Sequence, residues 1–156
     1  MSIKESAAAY ESATQYFLNL ARGVTQDLLD VKDPEGWSAR QIIHHLADSE
    51  AQSYARLRRL VAEPEGSLIQ GYDENLWAVA PQLGYESAPV ENPIVIFTAV
   101  RAGSLEIIKR LTEADLEKSG VHSESGQYTI AKWLTSYTNH PKDHGDQLVR
   151  AVKGQN

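Results

Sequence analysis

Apolar and small residues recur along this chain at alternating steps of three and four, as they do in helices that bury one face. Ile3, Ala7, Tyr10, Thr14, Phe17, Ala21, Val24 and Leu28 keep this spacing and predict a helix over roughly Ile3 to Leu29, with Gly23 its only weak residue. Asp33-Pro34-Glu35-Gly36, dense in turn formers, breaks the pattern. The second helix is expected to begin at Ser38, where Ser38 and Gln41 form a capping box and Trp37 precedes as a staple. Its stripe is Ile42, Leu46, Ser49, Ser53, Leu57 and Leu60, and it ends near Glu63-Pro64-Glu65-Gly66.

A long irregular stretch follows, from Ser67 to about Glu91, with one short helix expected around Asp73 to Val79. A connection of that length inside a small domain is often functional. Asn92-Pro93 reads as a cap and a first helical proline. It opens a third helix with Ile94, Phe97, Val100, Ser104, Ile108 and Leu111 inward. Ser119 to Gln127 is a second polar break, containing Gly120 and Gly126. The last helix is expected from about Thr129 to Val152, through Ile130, Leu134, Tyr137, Pro141, His144, Leu148 and Ala151. No strand alternation, internal repeat or low-complexity tract stands out. The expected fold is all-α: a four-helix bundle with a long crossover between helices two and three, in a single domain over residues 1–156.

Composition narrows the chemistry. The chain has no cysteine, so disulfides, thiolate metal sites and cysteine nucleophiles are excluded. Fifteen Lys and Arg against 21 Asp and Glu give a net charge of −6, which argues against a nucleic-acid partner. No apolar run approaches the roughly 20 residues of a bilayer span, so no membrane partner is expected. Met1 to Glu5 lack the basic start and apolar core of a signal peptide, and the expected location is the cytoplasm.

Among five histidines, His140 and His144 carry the most information. Four residues apart on a helix, their imidazoles project from one face and can share a divalent ion. The bland alternative is a pair of solvated surface histidines. His144, however, falls on the apolar stripe between Pro141 and Leu148. A third ligand would come from the second helix. At about 100° per residue, His45 lies about 60° from Ile42 at the border of the stripe, whereas His44 lies about 160° away. His45 is therefore the expected ligand, and His44 a surface or loop-facing residue. Asp48, Ser49, Gln52 and Arg56 lie on or near the His45 column; they either orient the site or are solvated flanks. His122, beside Ser123-Glu124-Ser125-Gly126, is expected to be exposed.

Three imidazoles with no fourth protein ligand make an open site, with room for water or substrate. Nitrogen ligands suit zinc, nickel, iron, copper or cobalt. Pro141 sits between the two helical histidines. It either kinks the helix and frees the Tyr137 carbonyl, or starts a new helical segment.

Three stretches, WSARQIIHHLADSE (Trp37 to Glu50), YDENLWA (Tyr72 to Ala78) and NHPKDH (Asn139 to His144), resemble the DinB/YfiT-like family of metalloenzymes, in its YfiT-like branch. Their order and distances fit over nearly the whole chain. The resemblance implies the same bundle, often dimeric, with a divalent ion on His45, His140 and His144; zinc or nickel is favoured, with iron as a further choice. Some relatives transfer a low-molecular-weight thiol or isomerise with mycothiol, and others are called hydrolases. Many members have a histidine where Glu50 stands here, and the proline after His140 is not the commonest choice.

The function expected is a metal-dependent enzyme, a thiol S-transferase or a hydrolase. Its metal activates a thiol or water against a small electrophilic substrate. Asp48 and Tyr72 are candidates for catalysis, and Gln52 and Trp77 for lining the pocket. The alternative is a non-enzymatic ligand-binding or stress-response bundle in which the histidines are incidental.

Overall fold

The computed structural model describes residues 2–32 and 35–155, so Asp33 and Pro34 of the first expected break lie outside the described residues. Four long helices form the bundle: α1 (Ile3–Gly23), α2 (Ala39–Ala62), α4 (Glu91–Ile108) and α5 (Ile130–Ala151), with the short α3 (Glu74–Val79) between α2 and α4. Their starts follow local chemistry. The Ser38 hydroxyl accepts the Gln41 N–H while the Gln41 side chain takes the Ser38 N–H, the expected capping box. Asp73 caps α3 and Thr129 caps α5 by the same hydroxyl- or carboxylate-to-backbone logic.

Two boundaries differ from expectation. α1 stops at Gly23, and the chain turns through a short 3-10 segment at Gln26–Leu28. Leu29, expected to end that helix, still reaches the core. α4 begins at Glu91 with Val90 before it, which places Pro93 third in the helix rather than first. The missing N–H of Pro93 costs nothing there, because the first turn has no intrahelical acceptors for its N–H groups.

α1 packs against α4 and α5, and α2 also packs against α4 and α5. α1 and α2 are therefore diagonal partners, as are α4 and α5, whereas α2 and α4 are neighbours joined by the long crossover. A small three-stranded sheet, absent from the all-α expectation, joins two of those connections. β1 (Leu68–Ile69) pairs in parallel with β2 (Ser119–His122), which pairs antiparallel with β3 (Gly126–Thr129). Strands of two and four residues are too short to show alternation in sequence. Gly120 is required at the junction, since a Cβ there would lie 2.6 Å from the Ser67 carbonyl oxygen. The expected loop at Ser123–Gly126 is the tip of this hairpin, closed by Gly126 at φ +71°.

The apolar core has two parts. One holds Phe17, Ile42, Leu46, Phe97 and Leu148; the other holds Tyr10, Leu57, Ile108, Trp133 and Tyr137. On every long helix, a buried polar segment separates the two. Thr14, Ser49, Glu50, Ser53, Arg101 and Ser104 lie in it, and His140 and His144 fall at the matching level of α5. Among the described residues no helix is long and apolar enough to cross a membrane.

Candidate metal centre

α2 and α5 are packed neighbours, so a histidine on one can meet histidines on the other. His140 and His144 sit one turn apart on α5, with ring centroids 4.6 Å apart. The His45 ring stands 5.4 Å from His140 and 4.7 Å from His144. One nitrogen from each of the three lies within 4.8 Å of the other two. The expected set is thus brought together in space.

Pro141 does not break this arrangement, because α5 runs through it as one helix. The Tyr137 carbonyl, deprived of its intrahelical donor, instead accepts a 2.9 Å hydrogen bond from Arg101 Nη1. Arg101 is fully buried, and it is the residue that the sequence reading missed. Its Nε donates to Thr14 Oγ1 at 2.5 Å, its Nη1 to Glu50 Oε1 at 2.7 Å and its Nη2 to the Tyr10 carbonyl at 3.0 Å. The guanidinium also lies 3.6 Å from the centre of the Tyr10 ring. One side chain of α4 thereby joins α1, α2 and α5 directly below the histidines. Glu50 is committed to this pair.

The histidines themselves are differently placed. Both His45 nitrogens and Nδ1 of His140 are buried without any hydrogen-bond partner. Their nearest acids, Glu74 at 3.7 Å from His45 Nε2 and Glu50 at 3.9 Å from His140 Nδ1, stand beyond hydrogen-bond reach. Nδ1 of His144 shares a 2.7 Å bond with Gln147 Oε1. An amide oxygen can only accept, so Nδ1 carries the proton and the Nε2 lone pair is left free. Burial, reinforced by repulsion from the neighbouring imidazoles, pushes the pKa of His45 down to about 2. Burial, with His140 beside it, pushes that of His144 down to about 4. Both are therefore neutral at physiological pH, the form in which imidazole binds a metal. Buried polar atoms normally find partners, so orphaned lone pairs converging from two helices fit a divalent cation.

The remaining predicted residues divide. Tyr72 lines a cavity of about 270 Å³ that also reaches His140, Arg56, Tyr137 and His122. Trp77 packs on the Tyr72 ring at 4.5 Å and supports it from behind. Gln52 is half-buried on α2 and is not part of that cavity wall. Asp48, expected to orient the histidines, instead accepts a 2.8 Å hydrogen bond from the Tyr85 hydroxyl and anchors the crossover. His44 faces that same crossover, with Nε2 3.3 Å from the Ala88 carbonyl oxygen, which matches its loop-facing reading. His122, expected to be exposed, is buried on β2 against the Tyr128 ring, a consequence of the unforeseen sheet. Arg56 donates to the Tyr137 hydroxyl at 2.8 Å and to the Gln70 carbonyl at 2.9 Å. Glu74, in the first turn of α3, was not singled out by sequence; it stands at the mouth of the site, half exposed.

Comparison with known proteins agrees with the geometry. A protein of Oceanobacillus iheyensis named "Putative metal-dependent hydrolase" is 36% identical over 118 residues, covering 76% of this chain and 66% of its own length. A protein of the same name from Bacillus mycoides is 32% identical over 109 residues, covering 70% of this chain and 61% of its own. The matched segment thus spans under two thirds of these relatives. Among solved structures, YfiT from Bacillus subtilis, described as "a probable metal-dependent hydrolase with an unusual four-helix bundle topology", superposes with a TM-score of 0.86 at 22% identity. That match covers 97% of this chain and 86% of YfiT, and it shows that the two share a fold. The family model described as the DinB superfamily matches residues 9–148, and the chain belongs to that superfamily.

Proposed function

We propose that this protein is a metal-dependent enzyme whose divalent ion, held by His45, His140 and His144, serves a hydrolytic or thiol-transfer reaction on a small electrophile. The observation that carries this reading is the convergence of three imidazoles, two of which, His45 and His140, have buried nitrogens with no protein partner. The names of the curated relatives support it in the same direction. A divalent ion in such an open site supplies Lewis acidity, lowering the pKa of a water or thiol beside it into the neutral range.

The chain's own residues divide the remaining work. Gln147 fixes the tautomer of His144 through Nδ1. Glu50, held by Arg101, sets a carboxylate 3.9 Å from His140 Nδ1, where a small ring movement makes the corresponding hydrogen bond. Glu74 is the carboxylate at the open side, 3.7 Å from His45 Nε2, and is placed to take the proton that the nucleophile gives up. Trp37 and Tyr72 wall the site with aromatic surface and keep bulk water from the buried imidazoles. Zinc or nickel suits this donor set, and iron is a further choice.

Elemental analysis of freshly purified protein, followed by a screen of ester, amide and thiol-plus-electrophile substrates, tests the proposal. About one ion per chain, and turnover that chelator abolishes and metal restores, are the expected results. Protein that carries no ion and takes none up on titration contradicts it.

A further inference from the structure

The cavity beside the histidines has a chemistry of its own. Arg56 lies in its wall, yet none of the ion pairs among the described residues involves it. Only two of its five N–H donors are used, both toward neutral oxygens, the Tyr137 hydroxyl and the Gln70 carbonyl. Its Nε is buried with no partner at all. Arg101 shows the contrast, since that guanidinium is neutralised by Glu50 and has Nε and both Nη atoms engaged. A partly buried guanidinium with no carboxylate in ion-pair contact is costly unless an anion completes it. Around Arg56 the wall is rich in hydroxyls, from Tyr72, Tyr128, Ser49 and Ser136, which donate readily to an anionic oxygen.

We infer that this cavity is the carboxylate-recognising half of the substrate site, with Arg56 holding a carboxylate of a small organic acid whose reacting centre faces His45, His140 and His144. The inference rests on the proposed function for the position of the reacting centre. Continuity of the cavity supplies the link: His140 is in the same wall, and the Tyr137 ring, whose hydroxyl Arg56 holds, lies 5.9 Å from the His140 ring. The volume of about 270 Å³ suits a metabolite-sized acid rather than a polymer. Charge selects a carboxylate over a phosphate. A single cation faces the cavity while Glu74 and Glu124 also line it, so a phosphate, which concentrates up to two charges on one centre, meets more repulsion beside Arg56 than a carboxylate group that places a single charge there. Arg56 is on this account a substrate-orienting residue, and a fork of two donors toward one carboxylate fixes direction as well as affinity.

Succinate, acetate, inorganic phosphate and neutral succinamide are the probes, titrated by calorimetry into the zinc-loaded wild type, Arg56→Gln and Arg56→Lys. Arg56→Gln is expected to weaken succinate at least tenfold while leaving zinc stoichiometry and the affinity for acetate, which needs only the metal, unchanged. Arg56→Lys, which keeps the charge, is expected to retain part of the difference. Repeating the succinate and succinamide titrations on chelator-treated wild type separates this inference from the metal reading. A tenfold or greater preference for succinate without metal is expected, and it would stand even if no ion bound. The same wild-type comparison decides the matter should Arg56→Gln fail to fold. Equal succinate affinity in wild type and Arg56→Gln, no preference over succinamide, or phosphate binding tighter than succinate would overturn the inference.

Discussion

Two polar clusters lie side by side in the middle of the bundle, and they are built on opposite principles. Around Arg101 the charges and carbonyls are matched: a cation, a carboxylate, a hydroxyl and two carbonyls, one of them freed by Pro141, all find one another within 2.5–3.0 Å. Around His45 the polar atoms are just as buried, but nitrogens are left without partners. The first cluster holds the four helices together. The second is kept incomplete by its surroundings, since burial keeps the His45 and His144 rings neutral and no acid approaches close enough for a hydrogen bond to His45 or His140. A polar group in a core that is satisfied by its own chain reads as architecture, and one that is not reads as a place for a ligand.

The comparison breaks most visibly at Arg101. Arg101→Met leaves Glu50 buried without its counter-ion and the Tyr137 carbonyl without the donor that replaces its missing helical one, and is expected to cost about 3–5 kcal/mol. Denaturant unfolding measures it, and a loss under about 1 kcal/mol would mean that the cluster is not structural. The metal-free protein should next show a marked acid sensitivity. His45 and His144 stay neutral in the folded chain down to about pH 2 and 4, whereas unfolded histidine takes up a proton near 6.5. Stability is then full above about pH 6.5 and falls on acidification from there toward pH 4, by about 1.4 kcal/mol per unit for each such histidine. Melting temperature against pH follows this, and a flat profile between 6.5 and 4 would contradict the buried neutral imidazoles.

Smaller effects sharpen the contrast. Gln147→Leu removes the only hydrogen bond to His144 Nδ1 that the structure shows and is expected to weaken metal binding about tenfold, read by competition with a chelating dye. His45→Leu should leave metal-free stability unchanged or raise it by up to about 1 kcal/mol, since it replaces two orphaned nitrogens by apolar volume. The same change should abolish metal uptake. A His45→Leu protein destabilised as much as Arg101→Met would place both clusters in the same structural class.

The sequence disclosed one of these clusters and hid the other. The i, i+4 spacing of His140 and His144 and the wheel position of His45 relative to Ile42 are local facts, and local facts also placed Ser38, Asp73 and Thr129 at helix starts. The freed carbonyl of Tyr137 could be foreseen from Pro141 alone. Its partner could not, because Arg101 draws its contacts from three other helices and each contact is set by packing. Arg101 does lie four residues after Phe97 and three before Ser104, on the stripe that α4 buries, but a charged side chain at such a position reads as solvated unless its partners are known. The sheet was hidden for a related reason: β1 and β2 are separated by about a third of the chain, and their pairing is what buries His122 and builds one wall of the cavity beside Arg56.

The central claim is that three histidine nitrogens complete their coordination with a metal ion, and cobalt(II) titration followed by visible absorption tests it most directly. Saturation at one ion per chain in the wild type, with the d–d bands of a nitrogen-ligated site and their disappearance in His45→Leu, is the result this account predicts. A wild type that gives no such bands, or a His45→Leu protein that gives the same ones, would contradict it.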